Sequence, residues 1–244
     1  MNYTKIIKQI ETIYEDENLV VLTKPSGLLS IADRYKTLLN LKDILLKKYE
    51  FIYTVHRLDK ETSGIMVFAK NEKTHKFLSD QFASKKVESI YWAFVQNKPN
   101  IESGIIDMPI LNDIRKSGRM HINQDGKEAL TKYKTLHNYG NICLMAFLPV
   151  TNRTHQIRIH SKYIGCPLLV DTVYSKKNNF YLSEVKRHYK KTQFEDEKPF
   201  IKRLTLHAKS ISFKLPNGKQ KTFESELPKD LRALKNQLDK LIKT

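Results

Sequence analysis

Ten consecutive residues, Val55-His56-Arg57-Leu58-Asp59-Lys60-Glu61-Thr62-Ser63-Gly64, crowd cations, carboxylates, two hydroxyls and a glycine into one stretch. The run that follows, Ile65-Met66-Val67-Phe68-Ala69, is wholly apolar and predicts a buried strand. Polar groups on a loop that enters a rigid strand are a common way to build an active site. Arg57 and Asp59 are two apart, so an extended backbone would put them on one face and keep Asp59 ionised beside a fixed positive charge. Thr62, Ser63 and Gly64 supply the local hydrogen bonds and backbone freedom of a tight bend. A loop with a purely structural aspartate would carry the same residues.

The string His56-Arg57-Leu58-Asp59-Lys60-Glu61-Thr62-Ser63-Gly64 resembles the signature of the RluA-type family of RNA pseudouridine synthases, HRLD-x-x-TSG, at every defined position. That resemblance implies that Asp59 is the catalytic residue. Five further stretches are similar to the same family. Asp16-Glu17-Asn18-Leu19-Val20-Val21 through Lys24-Pro25-Ser26-Gly27 resembles its first motif, whose Lys-Pro pair lies near the catalytic cleft. Ser89-Ile90-Tyr91-Trp92-Ala93 resembles a strand whose tyrosine stacks on the target base, which maps onto Tyr91; Ser89 stands where that family usually has lysine. Thr151-Asn152-Arg153-Thr154-His155-Gln156-Ile157-Arg158-Ile159-His160 resembles the third motif, whose second arginine pairs with the catalytic aspartate, which makes Arg158 the expected partner of Asp59. Here Asn152 replaces a glycine, and asparagine tolerates left-handed backbone angles. Gly165 to Tyr174 and Arg203 to Ala208 are two more echoes, with Cys166 and Val170 departing from the usual histidine and glycine.

Other features narrow the alternatives. The chain of 244 residues is 40% hydrophobic, enough for a core. Its formal net charge of +17 points to a polyanionic partner. Cys143 and Cys166 have no metal-type spacing and suit a reducing compartment. The N-terminal stretch meets acidic residues early and does not read as a signal peptide, and no run reaches the roughly 18 apolar residues of a membrane span. The expected location is the cytoplasm, with no membrane association.

In chain order, residues 1–11 suggest a short helix or arm. Strands are expected at 12–15 and 19–22 around a polar turn, with Lys24 held at a strand end. Residues 37–50 predict a packing helix on Leu38, Leu41, Leu45 and Leu46. Asn71 is the expected N-cap of the next helix. A β-rich run covers 87–95, and an edge strand falls within 101–110. Residues 112–127 suggest an exposed loop or hairpin. Strands at 128–137 and 142–150 flank Asn138-Tyr139-Gly140-Asn141, a hairpin signal. A helix is predicted over 153–163, which would put His155 and Arg158 on one face. Residues 175–200 form a lysine-rich insert interleaved with aromatics, a mixture that suits RNA backbone contact and stacking. A strand near 203–213, a turn at Pro216-Asn217-Gly218-Lys219, a return strand at 220–226 and a helix from Pro228 complete the chain, with Leu231, Leu234, Leu238 and Leu241 as that helix's apolar stripe.

No repeat or Pro/Gly-rich linker appears. The expectation is one α+β catalytic domain over residues 1–244, a mostly antiparallel sheet with flanking helices and a central cleft. The family resemblance covers roughly residues 12–228 and implies that fold. The S4 RNA-binding domain that the family often carries is not expected within these residues. The implied chemistry is isomerisation of uridine to pseudouridine in structured rRNA or tRNA, without cofactor or metal, by a chain whose default state is a monomer. Asp59, Arg158 and Tyr91 would be catalytic; Arg57, Lys24, His56, His155 and Arg153 would hold the RNA. Covalent attack by Asp59 and removal of a ribose proton both remain open, and both require an ionised carboxylate. Three other readings use the same residues. A metallohydrolase on His56, Asp59, His155 and His160 conflicts with the surrounding arginines. A non-catalytic RNA-binding protein on the same fold fits the departures at Ser89, Asn152 and Val170. A basic membrane-surface protein lacks a sufficiently apolar amphipathic helix.

Overall fold

The computed structural model describes residues 3–33, 38–114, 118–186 and 196–242. In chain order the elements are helix α1 (Tyr3–Ile7), strands β1 (Glu11–Glu15) and β2 (Leu19–Lys24), helix α2 (Leu41–Leu45), strands β3 (Tyr53–Thr54) and β4 (Ser63–Ala69), and helix α3 (Glu72–Ala83). Strands β5 (Glu88–Gln96), β6 (Ser103–Asp107), β7 (Ile110–Asn112), β8 (Met120–Ile122), β9 (Leu130–Asn138) and β10 (Ile142–Pro149) follow. Helix α4 (Gln156–Tyr163), strands β11 (Leu206–Lys214) and β12 (Gln220–Glu224), and helix α5 (Lys229–Ile242) close the chain. The fold is α+β with mostly antiparallel pairing, as the sequence predicts. The chain divides into two compact units, Met1–Tyr91 with Leu206–Glu226, and Trp92–Thr205 with Leu227–Thr244, and the division falls inside β5.

The first unit is organised around β4, whose seven residues are all buried. Its sequence has no polar alternation, as expected of a strand covered on both faces. β4 pairs antiparallel with β2 over residues 64–69, from Leu19 opposite Ala69 to Lys24 opposite Gly64. On its other edge, β11 runs parallel to it at Ser63 and Gly64, and β3 pairs with Phe68 and Ala69. The Asp16 turn between β1 and β2 is held by Asp16 Oδ1, which accepts from the backbone N–H groups of Asn18 and Leu19. Asn71 caps α3 by accepting from Thr74 N–H at 2.9 Å, the cap the sequence predicts. The packing helix expected over 37–50 is shorter: only Leu41–Leu45 is regular, with Asn40 as its cap. Leu41 and Leu45 are buried, while Leu38 and Leu46 are exposed, so half of the expected apolar stripe faces outward.

In the second unit β9 lies between β10 and β6, both antiparallel to it. Asn138 Oδ1 accepts from Gly140 N–H, and Gly140 has φ +86°, so the predicted hairpin turn forms as its residues dictate. β7 and β8 pair antiparallel as a separate two-stranded sheet; β8 lies within the 112–127 segment read as loop or hairpin, whereas β7 begins before it, at Ile110. Leu231, Leu234 and Leu238 of α5 bury with Phe94, Leu144, Phe180 and Ile201. The expected stripe on this helix is therefore its core face.

Candidate active site

In the first unit the signature loop leads into β4 and is held mainly through its backbone. Lys24 is fully buried, and its ammonium donates to the carbonyls of Pro25 (3.1 Å), Leu28 (2.7 Å) and Lys60 (3.0 Å). Gly27 N–H also donates to Lys60 O, and Ser26 Oγ to Glu61 O. The buried Ser30 hydroxyl donates to Leu58 O at 2.7 Å and accepts from Leu58 N–H at 3.0 Å. The 24–30 turn is thus laced to residues 58–61 on both sides of Asp59. The expectation that Lys24 holds a phosphate is corrected by this arrangement: its three donors face carbonyls in the interior, and the residue is a strut.

Gly64 has φ +122°, and a Cβ there would lie 2.3 Å from the carbonyl oxygen of Ala208. Only glycine allows β4 to come this close to β11. Beside it, Ser63 Oγ and His207 Nδ1 share a hydrogen bond of 3.0 Å, and the far ring nitrogen of His207 lies 3.3 Å from Ser225 O.

His56 also differs from its expected role. Its Nε2 accepts from Val67 N–H at 3.0 Å, in the stretch of β4 between the β11 and β3 pairings, and its ring stacks on Phe82 with centroids 5.0 Å apart. Burial pushes its pKa down to about 4. A neutral imidazole that serves as a backbone acceptor does not hold an anion.

Arg57 is exposed, Asp59 is half-buried, and both line a pocket of about 320 Å³ with Leu29–Asp33, Leu58 and Lys60. Tyr91 packs at the edge of the first unit's core. Burial raises the pKa of its phenol, and the Asp59 charge raises it further, so the hydroxyl stays protonated and lies within electrostatic reach of that carboxylate. The wall formed by Leu29–Asp33 has no signal in sequence beyond its proximity to Lys24-Pro25.

Arg153, His155 and Arg158 belong to the second unit. The helix expected over 153–163 starts at Gln156, because His155 takes a left-handed conformation (φ 58°, ψ 17°) as its N-cap. His155 therefore does not share a helical face with Arg158. The left-handed residue of this turn is His155, whereas Asn152, which substitutes for glycine, is not among the positive-φ residues. Gln156 satisfies the turn from inside: its Oε1 accepts from the Thr151 hydroxyl and Arg153 N–H, and its Nε2 donates to Leu130 O and Thr131 Oγ1. The guanidinium of Arg153 donates from Nε to Glu128 O. Both ring nitrogens of the fully buried His160 are engaged, with Thr131 Oγ1 at 2.8 Å and Met108 O at 3.0 Å.

Arg158 is 7% exposed and makes a side-on bidentate pair with the buried Asp171, Nε to Oδ2 and Nη2 to Oδ1, each 2.8 Å. Burial alone would raise the Asp171 carboxyl, but the hydrogen bonds and charge of Arg158 and the N–H groups of Tyr174 and Val173 outweigh it and hold the pKa below the ordinary carboxylate value. The Arg158 guanidinium lies over the Tyr174 ring, 5.0 Å from its centroid. Tyr174 Oη accepts from Met120 N–H at 3.0 Å and is 2.8 Å from His155 Nδ1. Asp171 and Tyr174 were legible as part of the 165–174 family echo, but nothing local to that string connects them to Arg158.

Of the basic insert, Lys177 pairs with Glu184, and Phe180 is buried in the core and so is not available for stacking on RNA. Arg187, His188, Tyr189, Lys190 and Lys191 lie outside the described residues. Among the described residues no three His, Cys, Asp or Glu side chains are grouped to hold a metal ion, and no helix is long and apolar enough to cross a membrane.

The family model described as RNA pseudouridylate synthase matches residues 18–163. The chain is 35% identical over 234 residues to ribosomal large subunit pseudouridine synthase D of Borreliella burgdorferi, covering 90% of this chain and 66% of that protein. It is 33% identical over 215 residues to the dual-specificity RNA pseudouridine synthase RluA of Vibrio vulnificus, covering 85% and 79%. Among solved structures, human RNA pseudouridylate synthase domain containing 4 superposes with a TM-score of 0.74 at 25% identity, over 97% of this chain and 95% of that one. The Lys24 turn, the Asp59 loop, Tyr91 and the Arg158 helix all fall within the matched segment, and the chain belongs to the RNA pseudouridylate synthase family.

Proposed function

We propose that this chain isomerises specific uridines of structured RNA to pseudouridine with Asp59 as its catalytic carboxylate. Members of this family are isomerases, and the reaction conserves atoms. The N1–C1′ bond of the uridine breaks, the base turns, C5 bonds to C1′, and the proton lost from C5 is balanced by one gained at N1. The observation that carries the assignment lies within the first unit: Asp59 lines the pocket beside Arg57 and acts electrostatically on the phenol of Tyr91. A carboxylate at the sugar and a flat aromatic under the base are what a cleaved but retained uracil requires. Tyr91 stacks on that base, and Arg57 fills the gap left by the everted nucleotide or holds its phosphate. Eversion costs a few kcal/mol, less in a loop than in a helix.

Arg158 is proposed as the partner that orients Asp59, on the strength of the third-motif resemblance, with Arg153 and His155 contacting RNA phosphates. The name of the Borreliella relative favours an rRNA target, and the dual specificity in the name of the Vibrio relative leaves room for a second RNA class, for which tRNA is our choice. The net charge of +17 supplies the sequence-independent attraction for either. Action as a cytoplasmic monomer completes the proposal.

The test is Asp59→Ala. Product formation in a tritium-release assay on total RNA should fall by at least about 10⁴-fold, the scale on which removal of a catalytic nucleophile acts. RNA affinity should stay within a few-fold. Normal turnover by this variant would remove the proposal. Mapping pseudouridines in cells with and without the protein identifies the target.

A further inference from the structure

The second unit contains a buried cation, Arg158, gripped side-on by a carboxylate of the same unit, Asp171. We infer that Asp171, with the Tyr174 ring, is a positioning residue for the reaction: it fixes the direction of the Arg158 guanidinium. The inference rests on the proposed service of Arg158 to Asp59.

Asp171 takes the Nε–Nη2 side of the guanidinium with both of its oxygens at 2.8 Å. A side-on fork leaves a planar guanidinium one rotational setting, so the Nη1 end points away from Asp171 in a fixed direction. Tyr174 covers one face of that plane at 5.0 Å. The ring is itself held at its hydroxyl by Met120 N–H and His155 Nδ1. Asp171 is in turn set by the N–H groups of Val173 and Tyr174, which donate to Oδ1 at 2.8 and 3.1 Å. Every part of this assembly lies within the second unit.

The arrangement also changes what Arg158 can contribute. Paired with an ionised Asp171 at 1% exposure, the ion pair is neutral as a whole. Arg158 then acts through the direction of its remaining N–H groups more than through net charge. A residue that keeps the positive charge but lacks the fork does not replace it.

The experiment compares single-turnover rate constants, RNA dissociation constants and melting curves for Asp171→Asn, Arg158→Lys and the double variant. Asp171→Asn should lower the rate constant by about 10²-fold, the scale of a small misplacement in a reacting site, with RNA affinity within about twofold. Arg158→Lys should show a comparable loss. In the Arg158→Lys background, Asp171→Asn should add little, because the orientation it controls is already gone. Multiplicative losses in the double variant would show that Asp171 acts apart from Arg158 and would overturn the inference. So would a parental rate for Asp171→Asn beside an impaired Arg158→Lys, an outcome that leaves the role of Arg158 standing. Normal turnover by Arg158→Lys would instead defeat the reading of Arg158 itself. Asp171→Asn strands a buried cation and could fail to fold. Asp171→Glu therefore serves as a second probe: it keeps the ion pair but moves the fork by a methylene. A folded Asp171→Glu protein should lose at least tenfold in rate at unchanged RNA affinity, and a parental rate would overturn the inference.

Discussion

The signature loop of the first unit and the Arg158 turn of the second hold their working groups in opposite ways. Around Asp59 it is the backbone that is fixed: the carbonyls of Leu58, Lys60 and Glu61 and the N–H of Leu58 are taken by Ser30, Lys24, Gly27 and Ser26. Around Arg158 it is the side chain that is fixed, gripped by Asp171 and covered by Tyr174. A short carboxylate has only two torsions, so placing its Cα nearly places its oxygens. A long guanidinium has four, and only direct contacts at its far end can set its direction. The contrast explains why the first region depends on a buried lysine, a serine and a glycine, and the second on an ion pair and an aromatic.

If backbone pinning governs the first region, the largest loss should come from Gly64→Ala. Its new Cβ would meet backbone atoms of Ala208 at 2.3–2.8 Å on a residue with φ +122°. Backbone cannot step aside as a flexible side chain can, so a loss of about 4 kcal/mol or failure to fold is expected. A urea midpoint near that of the parent would show that β4 and β11 need not approach so closely.

An intermediate effect tests His56. Its folded pKa of about 4 lies below the ordinary value of 6.5. The stability it contributes is complete above about 6.5 and is lost as pH falls from there towards 4, to a total on the order of 3 kcal/mol. His56→Gln keeps an acceptor for Val67 N–H and removes the titration. Urea unfolding from pH 7 to 4.5 should show a shallower acid loss for the variant, and equal slopes would mean that His56 is not held neutral.

The smallest effect belongs to the second region. His155 bears left-handed strain of about 1–2 kcal/mol, which glycine would relieve while giving up the Tyr174 hydrogen bond and some backbone entropy. His155→Gly should therefore stay within about 1 kcal/mol of the parent, whereas His155→Val should fall about 2 kcal/mol further. Equal stabilities for the two variants in thermal melts would remove the strain argument.

Much of the fold was legible because its signals are local. The apolar 65–69 run, the Asn71 cap, the Asn138-Tyr139-Gly140-Asn141 turn and the leucine stripe of α5 each report backbone geometry through near neighbours in the chain. The shortened 41–45 helix and the late start of α4 were missed because periodicity cannot register one left-handed residue or show which leucines find a core. The site was half legible. Arg57, Asp59 and Tyr91 stood out through motifs, and the structure gives them an exposed arginine, a pocket-lining carboxylate and a half-buried phenol. Lys24 and His56 were assigned to RNA because a lysine and a histidine in such strings read as surface cations, and only packing shows that both are turned inward.

From the amino-acid order alone came the residue strings that carry the family, the α+β class and the polyanion-seeking charge, since all of these are written in composition and short-range spacing. Tertiary structure alone decided which way each long side chain faces. The Lys24 ammonium reaches a carbonyl 36 residues away, and Arg158 meets a carboxylate 13 residues on, past the end of its own helix. A partner at such separations is chosen by how elements pack and by the cost of leaving a buried charge unmatched, and neither quantity exists until the chain has folded.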